Sequence, residues 1–212
     1  MREVDVVVKL ASPAGGVKPR FTPYHVFMAL RIIAEKGPIG RPSLMKDIGL
    51  GEASTKTLLR RMRSAGLIGI DSVAGAYITD SGLKLLKALS SVIKIAGEVS
   101  VEDVCRDCNG FGVVLRGGAK AIESFGGAIR ARDEVVRQGG IGALILYVLS
   151  EGRFAMPTPT GLEEASSLSA VRDLRSIKDL REGDAAVIAL CYKSDRECAC
   201  YAVNSALMIM RN

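Results

Sequence analysis

The chain is poor in side-chain amides: of its 212 residues only Asn109, Gln138, Asn204 and Asn212 carry one. Depletion of heat-labile amides is a trait of thermophilic proteins. It bears on the five cysteines, because intracellular disulfides, rare elsewhere, are common in hyperthermophiles. Histidine is nearly absent, His25 being the only one. Beside an apolar helix stripe, a packing or surface role suits it better than proton transfer. Long apolar runs are missing too. The longest, from Ile141 to Leu149, contains Gly142 and falls well short of the roughly 20 residues a membrane helix needs. Glu3 and Asp5 stand where a cationic secretory leader would lie. These absences predict a cytoplasmic protein with no membrane partner.

What is present is unevenly distributed. Residues 1–97 carry 15 Lys and Arg against 7 Asp and Glu, whereas residues 98–212 carry 14 against 16. A basic half joined to a near-neutral half suggests a polyanion-binding module attached to a domain with another task. The expected boundary lies at 97/98, with residues 1–20 as an N-terminal extension.

The basic half is organised around Gly51 to Ile68. Thr55, Leu59, Met62 and Ala65 recur at spacings of four and three and form an inward seam of a helix over 52–65. Ser54, Lys56, Thr57, Arg60, Arg61 and Arg63 lie outside that seam, and Gly66 supplies the stop. Upstream, Thr22-Pro23 opens a helix with Val26, Phe27, Leu30 and Ile33 on one face. A shorter helix fits Arg41 to Ile48, and Gly49-Leu50-Gly51 turns it into the cationic one, the arrangement of a helix-turn-helix unit. Leu67 to Thr79 reads as a hairpin about Asp71 to Gly75. Asp80 can cap a further helix over 81–96. Its apolar residues form two stripes, one through Leu86, Leu89, Ile93 and Ala96 and one through Leu85, Ala88, Val92 and Ile95; the second needs a partner.

From Phe21 to Ala96 this order resembles the winged helix-turn-helix family. The turn and helix from Gly49 to Ile68, and Tyr77-Ile78-Thr79-Asp80-Ser81-Gly82, are similar to the recognition unit and the wing-to-helix junction of archaeal and bacterial regulators of that type. The resemblance implies Ser54, Lys56, Thr57 and Arg60 near base edges in the major groove and Arg61 or Arg63 near phosphates, with help from Lys18, Arg20, Arg41 and Lys46. The sequence departs from the family at the wing, where Asp71 to Ala76 holds one carboxylate and no cation.

The second half alternates apolar runs with helical segments, the pattern of an α+β or small α/β sandwich-type domain. Strands are expected at Phe111 to Leu115, Gly142 to Leu149, Arg153 to Met156 and Ala185 to Cys191. Helices are expected over 119–138, broken near Gly126-Gly127, and over 197–210. Thr160-Gly161-Leu162-Glu163 reads as a capping box opening a helical stretch to Leu180. The whole chain resembles archaeal proteins in which a winged helix precedes a C-terminal domain of unknown function. The matching segments are Arg132-Asp133 with Gly139-Gly140-Ile141-Gly142-Ala143, the hairpin ending at Pro157, and Gly183-Asp184-Ala185-Ala186-Val187-Ile188. That resemblance implies a regulator whose second domain senses a ligand or mediates assembly.

Sites in this half are few. Arg116, Gly117, Gly118 and Ala119 follow a strand and start a helix, so their N–H groups can receive a phosphate or carboxylate of a small effector; a plain glycine turn is the other reading. Cys105 and Cys108 have metal-knuckle spacing. The remaining pair, Cys198 and Cys200, sits two apart on a helix and points in diverging directions, which leaves buried thiols or a Cys105–Cys108 disulfide. No metal, cofactor or catalytic residue is expected: Asp133-Glu134 and Glu163-Glu164 diverge on helices, and no nucleophile motif occurs. The expected partners are double-stranded DNA, a second copy of the chain and a small-molecule effector. The other readings are a metabolite- or nucleotide-binding enzyme with an appended winged helix, and a winged helix used for protein contacts.

Overall fold

Val4, Val7 and Ala11 repeat at helical spacing, and the chain begins with α1 (Glu3–Leu10), in which Val4 and Val7 are buried. The sequence reading placed no element in this extension. The computed structural model describes residues 3–14, 16, 18–192 and 194–211, which divide into two units, residues 1–90 and 91–212.

In the first unit α2 (Pro23–Lys36) buries Val26, Phe27, Leu30 and Ile33. Its start is closed by His25, whose Nδ1 accepts the Thr22 N–H at 3.1 Å while the Thr22 side chain takes the His25 N–H. The lone histidine is therefore part of a capping box. α3 (Arg41–Ile48) ends at Gly49, whose φ of 71° lets its N–H reach the Met45 carbonyl at 2.9 Å. α4 (Glu52–Ser64) buries Thr55, Leu58, Leu59 and Met62. Ala65, expected on the inward seam, is exposed, and Leu58 takes the inward place instead.

β1 (Ile68–Asp71) and β2 (Gly75–Ile78) pair antiparallel. Ile39, ahead of α3, adds a one-residue bridge to Ala76 through two 2.9 Å hydrogen bonds. α5 (Asp80–Val92) then packs Gly82 so close to the Leu67 carbonyl that a side chain there would have no room.

The helix expected to reach Ala96 stops at Val92, and β3 (Ile93–Val99) follows. Val92, Ile93, Ile95 and Val99 are β-branched, and such side chains favour a pleated strand over a helix. The bulge between Ile95 and Gly97 accommodates Ala96. The boundary between units consequently falls at 90/91 rather than 97/98.

The second unit continues with β4 (Asn109–Leu115), α6 (Gly118–Phe125), α7 (Gly127–Gln138), β5 (Gly142–Val148), β6 (Phe154–Thr158), β7 (Gly161–Glu164), α8 (Ser169–Leu174), β8 (Ala185–Cys191) and α9 (Asp195–Met210). Its strands form one six-stranded sheet in the order β3-β4-β8-β5-β6-β7, antiparallel at each pairing. Every residue of β8 is buried, as a central strand covered on both faces requires. Val114, Leu146 and Ile188 face Val171 and Leu174 of α8 in one core, while α7 and α9 pack on the sheet through β5 and β4. The unit is thus an antiparallel α+β layer structure rather than a parallel α/β one.

Thr160 to Glu163 opens no helix: Gly161, at φ 135°, turns the chain into β7, and the Thr158 hydroxyl donates to the Gly161 carbonyl at 3.0 Å. A polar tetrad with capping-box letters forms a hairpin here because β6 offers it an edge, with Met156 opposite Glu163.

Candidate nucleic-acid interface

Thr55 sets the orientation of α4. Its buried hydroxyl donates to the Gly51 carbonyl at 3.1 Å, and Leu58, Leu59 and Met62 continue the buried face. The opposite face therefore turns to solvent. Lys56, Arg60 and Arg63 are exposed there, and none of the three forms an ion pair among the described residues. Ser54 and Thr57 are half-buried beside them, with the Thr57 hydroxyl donating to Ala53 at 3.0 Å. Arg41 at the start of α3 pairs with Glu52 at 2.9 Å, both ends open to water, a contact of small stabilising value. Lys46 is exposed on α3, and Lys18 and Arg20 are exposed in the segment before α2.

Arg61 departs from the phosphate role given to it. Its guanidinium turns inward and donates to the carbonyls of Leu10 and Ser12, each at 2.7 Å, and lies 5.4 Å from the Phe21 ring centre. The last carbonyls of a helix lack intrahelical donors; Arg61 supplies them to the end of α1. A cation in the middle of a charged run carried no sign of that use, because the helix it caps was itself not foreseen.

The hairpin is as short of positive charge as its sequence implies. Asp71 Oδ1 accepts the N–H groups of Val73 and Ala74 at 2.8 and 2.7 Å. These two bonds hold its carboxyl below the usual carboxylate range. Val73, at the tip, is 95% exposed, with Ile70 and Tyr77 open to solvent on the strands.

The residues from Arg116 to Ala119 come together, but around an internal anion. Asp184, 2% exposed, takes the Arg116 guanidinium at 2.6 Å on Oδ2 and the Gly117 N–H at 2.9 Å on Oδ1. The Arg181 N–H adds a third bond at 3.0 Å, and the Ala119 N–H goes to the Gly183 carbonyl. Gly118 is buried against Leu115 and Ala185. Asp184 thus takes the Arg116 and Gly117 donors that the sequence offers to an effector. In sequence Gly183-Asp184 signals only the entry to β8, and nothing local ties Asp184 to Arg116.

Cys105 and Cys108 are disulfide-bonded, one of the two arrangements left open for them, and a second bridge joins Cys191 at the end of β8 to Cys198 in the first turn of α9. Cys200 is free. Elsewhere, burial and the Glu123 carboxylate, which accepts its O–H at 2.9 Å, push the Tyr147 phenol well above its ordinary range. No helix among the described residues is long and apolar enough to cross a membrane.

Residues 108–209 match a family described as a domain of unknown function, DUF4443. The match lies wholly within the second unit. No curated protein matches the chain. Among solved structures, the hypothetical protein PH0730 from Pyrococcus horikoshii OT3 is 21% identical over 91% of this chain and 94% of its own, with a TM-score of 0.67. At that identity the likeness establishes a shared fold.

Proposed function

We propose that the chain is a DNA-binding transcriptional regulator whose first unit is a winged helix-turn-helix. α4 acts as its recognition helix in the major groove. The observation that carries this reading is the flank of Lys56, Arg60 and Arg63, exposed and outside any ion pair among the described residues, on the second helix of a helix-turn-helix that a hairpin follows. Lys56 and Arg60 reach base edges together with Ser54 and Thr57, and Arg63 and Lys46 reach phosphates. The protein works as a homodimer, since a single small module buries little DNA surface and two copies supply both affinity and a half-site spacing. The second unit provides dimerisation, effector sensing or both.

The test is duplex binding followed by fluorescence anisotropy across a salt series. Affinity falls steeply with salt, and Lys56→Ala with Arg60→Ala weakens binding by at least tenfold, each lost contact being worth about 1–3 kcal/mol. Undiminished binding by the double variant overturns the reading. The exposed apolar hairpin tip supports a second reading, in which the first unit contacts a protein; a stable partner complex without duplex binding selects it.

A further inference from the structure

α1, α4 and α5 enclose a groove of about 940 Å³ that lies wholly within the first unit. Its walls are aliphatic: Val6 and Leu10 of α1, Ala65 and Leu67 beyond the body of α4, and Leu85 and Ala88 of α5. Leu85 and Ala88 are the first members of the α5 stripe that the sequence left without a partner, and the exposed Ala65 opens onto the same space. Apolar walls on α1, α5 and the turn after α4 form a site of the size that takes a small organic molecule, about 300–1,000 Å³.

The groove also has a sign. Lys9, Arg60 and Lys84 line it, each exposed and none ion-paired among the described residues, against a single carboxylate, Glu3. Arg61, a fourth cation of the lining, is engaged with Leu10 and Ser12. An aliphatic trough edged by unspent cations is complementary to an aliphatic molecule ending in an anion. A neutral chain would gain nothing from the cations, and a compact anion would leave the walls wet.

We infer that this groove binds a linear alkyl carboxylate, with the chain between α1 and α5 and the carboxylate at the Lys9, Arg60 and Lys84 rim. A regulatory consequence rests on the DNA-binding reading: Arg60 belongs both to the rim and to the exposed flank of α4, so a carboxylate held by it withdraws a guanidinium from DNA. Ligand and duplex then weaken each other by the same factor. This site lies in the first unit, apart from any effector sensing by the second.

The test is isothermal titration calorimetry of the full chain with decanoate below its micelle concentration, alongside 1-decanol. Decanoate binds saturably at one site, and 1-decanol binds at least tenfold more weakly. Lys9→Glu with Lys84→Glu, both at exposed positions that leave the core untouched, weakens decanoate at least tenfold, and Ala88→Trp does so by filling the trough. Absent saturable binding, equal affinity for 1-decanol, or an unchanged affinity in the charge-reversed variant overturns the site. A duplex titration run in parallel separates the two proposals: decanoate binding without any duplex binding keeps the groove and removes the regulator, and duplex binding without decanoate does the opposite.

Discussion

The Asp184 carboxylate bridges the Arg116 guanidinium and the Gly117 N–H, at 2.6 and 2.9 Å, from a position almost closed to solvent. Two stretches of chain far apart in sequence are pinned by one side chain at the mouth of the central strand. Asp184 is buried but Arg116 is partly open to water, so removing the carboxylate costs about what a hydrogen bond to a charged group is worth, about 1.5–3 kcal/mol. Asp184→Ala is therefore expected to lower the unfolding free energy by that order, read as a lower urea midpoint with little change in slope. A variant as stable as the parent would show that the turn stands without its internal anion.

Arg60 and Arg61 are neighbours with opposite duties. Arg61→Ala releases two carbonyls at the end of α1 and is expected to cost about 1.5–3 kcal/mol, as bonds to a charged donor do, while the salt slope of duplex binding stays as it is. Arg60→Ala leaves stability unchanged within about 0.5 kcal/mol and weakens duplex binding by about 1–3 kcal/mol, as loss of a base-edge contact does. Chemical denaturation and salt-dependent anisotropy on both variants check the division. A loss of slope in the Arg61 variant with full stability would reverse the roles.

The hairpin carries a pH signature. Because two backbone N–H groups stabilise the ionised form of Asp71, its folded value lies below its unfolded one. Its contribution to the turn is present in full above the unfolded value and is lost as pH falls through the folded value. The Val73 and Ala74 amide resonances should titrate together at a pH below the ordinary carboxylate range. In Asp71→Asn, whose side-chain oxygen still accepts but does not ionise, that titration vanishes. Amide shifts that follow an unperturbed carboxylate in the parent would remove the link.

Much of this architecture is readable from local chemistry. α3, the α4 platform, the hairpin, the break between α6 and α7, and the fully apolar β8 each carry their own period, cap or turn residues, and each lies within a residue or two of where those signals place it. The failures share a cause: their deciding contacts are distant in sequence. Ile93 and Ala96 fit a helical stripe as well as a strand, and only pairing with β4 decides for the strand. Thr160 and Glu163 spell a helix start, and only the edge of β6 makes them a hairpin. Within the candidate interface, the solvent-facing positions of Lys56, Arg60 and Arg63 follow from periodicity alone. The inward turn of Arg61 depends on a helix fifty residues earlier, and the occupation of the Arg116 turn on an aspartate about seventy residues later.

β4 and β5 do not touch as partners; β8 lies between them, bonded to both. A growing chain that has already made those two strands therefore holds two unsatisfied edges until residues 185–191 arrive, and the sheet zips shut from its middle as a late, long-range event. Until then the open edges of β4 and β5 are where a partly made chain is most exposed to wrong pairing.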